Sequence, residues 1–317
     1  MTKPFCAAVV GVGHLGRHHA RLLARLPGVE LAAVVDVDAR RAATVASELG
    51  TRAASRIEEL PADLDGVAVA VPTAAHAEVA LPLLRAGTPV LVEKPIAASV
   101  AEADALVAAA AQSGATLAVG HTERHNPAVT TARGLVSAPR FIEGHRLAGF
   151  ARRSLDIDVV FDLMIHDLDI VLAMVGSEPA SIEAVGVPVL TERVDIANAR
   201  LRFGNGCLVN LTASRISRDR VRKLRVFEAH SYVSLDYGAQ KVEAWRVTEG
   251  GGGERAIEGG SVPVTRAEPL ERELSDFVGA CRAGSRPRVT GEDGRRALVV
   301  AQRIAEAIVR GTEVGPS

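Results

Sequence analysis

The stretch Phe5-Cys-Ala-Ala-Val-Val10, followed at once by Gly11-Val-Gly13-His14-Leu15-Gly16, decides how this chain is to be read. Six almost wholly apolar residues suit a strand buried on both faces, the kind that parallel sheets contain. The glycines then fall at the spacing G-x-G-x-x-G, and from His14 the sequence takes on helical periodicity. Strand, tight glycine turn and helix in that order make the first half of a βαβ unit. Gly11 permits the turn, Gly13 leaves the backbone open to close approach, and Gly16 lets helix and strand pack together.

Outward from this point the pattern repeats. Short β-branched runs at 31–35, 66–71, 89–92 and 116–119 alternate with helical spacing over 14–26, 39–49, 74–86 and 100–112. Repeated strand-helix-strand units predict a doubly wound parallel sheet, an α/β Rossmann domain over 1–121. Pro82 falls inside the third of these helices, at a cost of about 3 kcal/mol unless the helix bends.

Beyond residue 121 the grammar changes. Strand-like segments at 140–146, 182–190, 197–203, 207–213, 224–227, 232–235 and 242–247 predict a large, mostly antiparallel sheet in an α+β domain over 122–317. Phe203-Gly-Asn-Gly206-Cys207 signals a hairpin, and Gly250–Gly253 reads as a loop tip. One helix, 158–175, is stopped by Gly176, and helices at 270–283 and 292–309 are expected to pack back on the body of the protein.

Composition narrows the function. The 317 residues carry a formal net charge of −1 and only 3% aromatics, which argues against nucleic acid as a partner. Three widely spaced cysteines form neither a disulfide framework nor a zinc site, so a reducing, cytoplasmic setting is expected. No apolar run approaches the roughly 18 residues that a membrane helix needs.

The glycine turn implies a dinucleotide. Amides at the start of the helix and its dipole are suited to a pyrophosphate, with His14 and Leu15 beside it. Asp36 ends the second strand, 20 residues after Gly16, where a carboxylate accepts from the adenosine ribose hydroxyls. That favours NAD over NADP, a preference that Arg40 and Arg41 could soften, although both also suit a solvated helix face. Ligands of open α/β sheets sit outside the carboxyl ends of the strands, which adds Pro72, Thr73, Glu93 and Lys94 to the cofactor-binding set, with His76 either touching the cofactor or capping and buttressing its cleft.

Three motifs carry a resemblance. Val69-Ala-Val-Pro-Thr-Ala-Ala-His76, Glu93-Lys94-Pro95 and Asp162-Leu-Met-Ile-His166-Asp167 occur in the order found in the glucose-fructose oxidoreductase / inositol dehydrogenase / MocA (Gfo/Idh/MocA) family, which the chain resembles over nearly its whole length. The resemblance implies that Lys94, Asp162 and His166 are catalytic, lining the place where a sugar or cyclitol hydroxyl faces the nicotinamide. It also implies a homodimer or homotetramer. Chemistry agrees. Asp162 and His166, at i and i+4 of one helix, share a face. Hydride can leave a secondary alcohol only as its proton is removed, and imidazole titrates in the right range. Asp162 can orient that ring, and the Lys94 ammonium can stabilise the alkoxide. Asp167 and Asp169 make a tempting cluster with them, but only two or three of the four share a face, so no metal is expected.

Substrate contacts are expected from His121, Arg124 and Asn126, from Arg153 ahead of the helix, and from Arg215, the first of a basic group with Arg218, Arg220, Arg222, Lys223 and Arg225. Such a group suits a phosphate or diphosphate, or equally a solvated rim or subunit contact. The runs 153–169 and 194–200 are similar to one subgroup of the family, the bacterial UDP-N-acetylglucosamine 3-dehydrogenases. The expected reaction is thus oxidation of a sugar or nucleotide-sugar hydroxyl to a ketone. The alternatives are a free sugar or inositol substrate, the reverse reaction, or an NAD-binding sensor without turnover.

Overall fold

A computed structural model describes residues 3–150, 157–249 and 255–313, with side chains as far as Gly311. The chain divides into two compact units, 1–122 with 268–295 and 123–267 with 296–317. A single cut after residue 121 therefore misses the return of 268–295 to the first unit.

The first unit is a six-stranded parallel sheet of β1 (Phe5–Val10), β2 (Val29–Val35), β3 (Arg52–Ala54), β4 (Gly66–Val69), β5 (Val90–Glu93) and β6 (Leu117–Gly120), in the order β3-β2-β1-β4-β5-β6. Strand order reverses between β1 and β4, the switch point at which such sheets bind ligands. The helices between strands are α1 (His14–Leu23), α2 (Ala39–Leu49), α3 (His76–Arg85) and α4 (Val100–Ser113). Helix α3 runs through Pro82 and is preceded by a 3-10 turn at Thr73–Ala75, so it starts two residues later than its periodicity suggests.

Segment 268–295 earns its place in this unit by packing. Leu274, Phe277 and Val278 of α7 (Pro269–Ala283) share one buried cluster with Phe5, Ala7, Val9, Ala20 and Leu23. A Cβ on Gly66 would lie 2.9 Å from the Phe5 ring and 3.0 Å from that of Phe277, so the glycine is what lets these rings meet the sheet. Val119 N–H then donates to Val289 O at 3.2 Å.

The second unit is an eight-stranded sheet of β7 (Phe141–Leu147), β8 (Pro179–Val187), β9 (Ile196–Phe203), β10 (Leu208–Ser214), β11 (Val221–Phe227), β12 (Ser231–Asp236), β13 (Lys241–Glu249) and β14 (Arg255–Val262). The order is β14-β13-β12-β11-β7-β10-β9-β8, antiparallel except for β7 with β10. One face carries Ile142, Leu201, Leu211, Leu224 and Leu235, and these pack with Ile165, Leu168 and Leu172 of α6 (Ile165–Val175) and Val300 and Ile304 of α8 (Gly291–Glu313). Short α5 (Pro127–Arg133) adds Ala128, Val129 and Ala132 to the same core. In the β9–β10 hairpin only Gly206 takes a positive φ, +85°, while the Asn205 side chain accepts from Cys207 N–H at 3.1 Å. The expected loop tip at Gly250–Gly253 lies outside the described residues.

The helix expected at 158–175 has two parts. A π-turn over Val160–Met164 precedes α6, which ends at Gly176 in the left-handed region. Asp162 is therefore on the π-turn and His166 in the first turn of the α-helix.

Candidate active site

In the first unit the glycine turn has the shape a dinucleotide needs. A Cβ on Gly16 would fall 1.7 Å from Gly11 O, and one on Gly11, whose φ is +84°, would fall 2.8 Å from the Ala70 carbonyl. At Gly13 a Cβ would meet nothing within 4 Å, so the space above the turn is open. Gly13 caps α1 without a side-chain hydrogen bond, and the first turn of α1 carries no acidic residue. Those amides and the helix dipole suit a diphosphate.

Asp36 is buried and heavily engaged. Its carboxylate accepts from Val12 N–H at 3.0 Å and Asp38 N–H at 2.9 Å, and Arg41 lies 3.1 Å and 3.2 Å from its two oxygens. It thus braces the glycine turn as well as presenting charge at the end of β2. Arg41, with about half of its side chain exposed, is held against Asp36 by this pair.

The Glu93-Lys94-Pro95 turn is held from both sides. Glu93, buried at the end of β5, lies 2.7 Å from His19 Nε2 and accepts from Lys94 N–H at 3.1 Å. Burial pushes this carboxyl up, but the hydrogen bond and charge of His19 and the charge of Lys94 outweigh it, leaving the pKa below the ordinary value. Beyond Lys94 the buried ring of His76 bridges two carbonyls, with Nδ1 2.9 Å from Pro95 O and Nε2 3.0 Å from Val71 O. Burial lowers its pKa against those contacts. Glu93 and His76 thus brace the Lys94 turn. Lys94 itself is half-buried, and Pro72 and Thr73 follow β4 at the same end of the sheet. His121 is wholly buried after β6.

In the second unit Asp162 and His166 are both half-buried, while Asp167 and Asp169 are buried. Asp167 receives a bidentate pair from Arg146, Nε to Oδ2 at 2.9 Å and Nη2 to Oδ1 at 3.1 Å, and Tyr237 donates to Oδ1 at 2.6 Å. Arg146 also pairs with Glu123 at 3.2 Å. Burial works against the Arg146 charge, but Asp167 and Glu123 overcome it and raise its pKa; burial, with the Asp167 charge, also raises that of Tyr237. Arg124 bonds Asp169 at 3.0 Å. The acidic run on this helix is therefore divided between faces, with Asp167 and Asp169 anchoring the helix and leaving Asp162 and His166 as the partly exposed pair.

Three residues expected to touch substrate have structural partners. Arg124 is committed to Asp169. Asn126 caps α5 through Ala128 N–H at 3.0 Å and donates to Glu123 Oε2 and Tyr237 O at 3.1 Å and 3.0 Å. Arg215 is buried, donating to Ile157 O and Val194 O and pairing with Asp195. It is distinct from the exposed Arg222, Lys223 and Arg225, each of which has an acidic partner, Glu123, Asp236 and Glu143 respectively. Arg153, the fourth, lies outside the described residues. Sequence reasoning missed His19 and Arg146 altogether; the signal for each was a lone polar residue on an otherwise apolar face.

A doubly wound sheet with an open glycine turn, on one chain with an α+β unit that carries a helical Asp-His pair, defines a nicotinamide-dependent oxidoreductase. Residues 5–121 match the model of the oxidoreductase family with an NAD-binding Rossmann fold, and residues 128–234 match the GFO/IDH/MocA C-terminal domain. The chain belongs to the Gfo/Idh/MocA family. It is 40% identical to UDP-N-acetylglucosamine 3-dehydrogenase of Acidithiobacillus ferrooxidans over 95% of this chain and 96% of that protein. A solved structure of that enzyme superposes with a TM-score of 0.90 at 39% identity, covering 96% of this chain and 97% of the other. The scyllo-inositol 2-dehydrogenase (NAD(+)) of Bacillus subtilis is 30% identical over 66% of this chain and 67% of its own. Levoglucosan dehydrogenase, solved with NADH and levoglucosan, shares the fold at a TM-score of 0.86 and 18% identity, covering 97% of this chain and 98% of its own.

Proposed function

We propose that this protein oxidises the 3-hydroxyl of UDP-N-acetylglucosamine to a ketone, with NAD as acceptor. The similarity to the Acidithiobacillus enzyme, which runs along both units, carries this reading. NAD, when bound, accepts a hydride at nicotinamide C4. Asp36 supports NAD over NADP, since a carboxylate repels a 2′-phosphate, and Arg41 moderates the preference.

Lys94, Asp162 and His166 are the proposed catalytic residues. His166 takes the hydroxyl proton, and Asp162 orients the ring and stabilises its charged form. The Lys94 ammonium stands by the oxygen and stabilises the developing alkoxide. Of the residues expected to contact substrate, His121 keeps that role in this proposal. The chain works as a cytoplasmic homodimer or homotetramer. Among the described residues no helix is long and apolar enough to cross a membrane, and Cys6, Cys207 and Cys281 are free thiols.

The test is NADH formation at 340 nm with UDP-N-acetylglucosamine, its 4-epimer, UDP-glucose, N-acetylglucosamine 1-phosphate and myo-inositol. UDP-N-acetylglucosamine is expected to give the highest kcat/KM and a 3-keto product by mass spectrometry. Turnover of myo-inositol alone would replace the substrate assignment, and NAD binding without turnover of any of them would favour a sensor.

A further inference from the structure

The brace beneath Lys94 extends to a residue that has no part in the chemistry just described. His19 lies in the second turn of α1, the helix that opens at the glycine turn, and its side chain is wholly buried. Its Nε2 is 2.7 Å from Glu93 Oε1, while the other oxygen, Oε2, holds Lys94 N–H at 3.1 Å. One carboxylate thus joins the glycine-turn helix to the backbone of the lysine.

The surroundings are shaped for that carboxylate. Gly120, at the end of the neighbouring strand β6, leaves room for it, since a Cβ there would lie 3.0 Å from Glu93 Oε2 and 3.1 Å from its Cα. Glu273 of α7 brings a second buried carboxylate into the group, the ligand atoms of His19, Glu93 and Glu273 all lying within 4.8 Å of one another. A buried acid beside a second acid has little reason to hold one rotamer and one charge state without a donor, and the imidazole supplies the donor. A buried charge-assisted hydrogen bond of this kind fixes orientation more than it adds stability.

We propose that His19 is a positioning residue, which by hydrogen-bonding Glu93 fixes the turn that carries Lys94 and so sets the rate of the chemical step without touching substrate. This rests on the reading of Lys94 as catalytic. It assigns a function to a histidine that a Rossmann helix does not need for folding: an apolar residue would fill the same space but leave Glu93 without its donor.

The experiment compares His19→Leu, which removes the donor, with His19→Gln, whose amide can still reach Glu93, in the full-length protein. His19→Leu is expected to lower kcat about tenfold or more at saturating NAD and UDP-N-acetylglucosamine while the Kd for NAD stays within about threefold. In the ligand-free protein it is expected to speed amide exchange at Lys94 about tenfold, with the amides of β1 unchanged. His19→Gln should bring both values back to within about threefold of wild type. Should the leucine variant not fold, His19→Asn takes its place, its amide being one methylene too short to reach. The proposal is overturned if the donor-less variant keeps kcat within twofold, if Lys94 exchange does not change, or if the glutamine variant is equally impaired. Lys94→Ala is measured alongside. An active Lys94→Ala enzyme brings down the catalytic reading alone, and the exchange experiment still decides whether His19 holds the turn.

Discussion

Single residues at the glycine turn have opposite tolerances, and that separates binding from folding. Gly16 cannot gain a methyl group without meeting Gly11 O, whereas Gly13, with φ near −66°, has open space where its Cβ would go. Gly13→Ala is therefore expected to leave the melting temperature of the ligand-free protein unchanged and to weaken NAD binding about tenfold or more by calorimetry, as the methyl group occupies the place of the diphosphate. Lys94→Ala should lower kcat by about 10²-fold or more, because it removes charge stabilisation that matters only as the alkoxide forms. The places of the glycines, Asp36 and Lys94 in the fold were legible because each follows directly on an apolar strand run. The buried partners of Arg124, Asn126 and Arg215 were not legible, for a physical reason: a polar residue looks the same in sequence whether it faces a ligand or satisfies a buried partner. Asn126 and Pro127 are the N-cap and first position of a helix, and α5 begins there.

Elements depend on a few buried charges. Asp195, between β8 and β9, accepts from Val189, Leu190 and Thr191 N–H at 2.9, 2.6 and 2.9 Å and pairs with Arg215. Burial pushes its carboxyl up, but the three amides prevail and bring its pKa down to about 2 from an ordinary 3.8. The unfolded chain binds this proton more readily than the folded one. The stabilisation is therefore complete above pH 3.8 and is lost as the pH falls through 2. Asp195→Asn should cost about 1–3 kcal/mol in urea melts at pH 7, and the gap from wild type should narrow below pH 3.8. Asp167→Asn, which leaves the buried Arg146 without its bidentate partner, should cost about 3–5 kcal/mol. The π-turn adds a different kind of sensitivity. It acts as one extra residue within a helix, and deleting Leu163 or Met164, which lie between the pair, should rotate Asp162 by about 100° relative to His166 and abolish turnover while circular dichroism still reports a folded protein. Strand β14 went unseen in the sequence because five of its first six residues, Arg255 to Gly259, are exposed and two glycines interrupt it, so burial left no mark on its composition. The three-residue β3 was too short to leave one.

At the scale of the whole chain, the first unit is made of two segments separated by 145 residues, Glu123–Ala267. Residues 1–122 expressed alone would expose the apolar face that Leu274, Phe277 and Val278 cover, and are expected to bind NAD weakly and melt without a cooperative transition. Joining 268–295 to them through a flexible linker should restore a cooperative melt, with NAD at 100 times its Kd adding about 2.7 kcal/mol. The alternation of strands and helices made the parallel sheet readable from sequence, but a distant helix completing it left no periodic trace, because α7 looks like any other amphipathic helix. The arrangement also has a bearing on synthesis. As the ribosome delivers the chain, residues 1–122 emerge 145 residues ahead of the segment that completes their unit. At about 5–20 residues per second, they spend roughly 7–30 s on the ribosome with an uncovered hydrophobic flank, an interval in which chaperones have reason to attend to it.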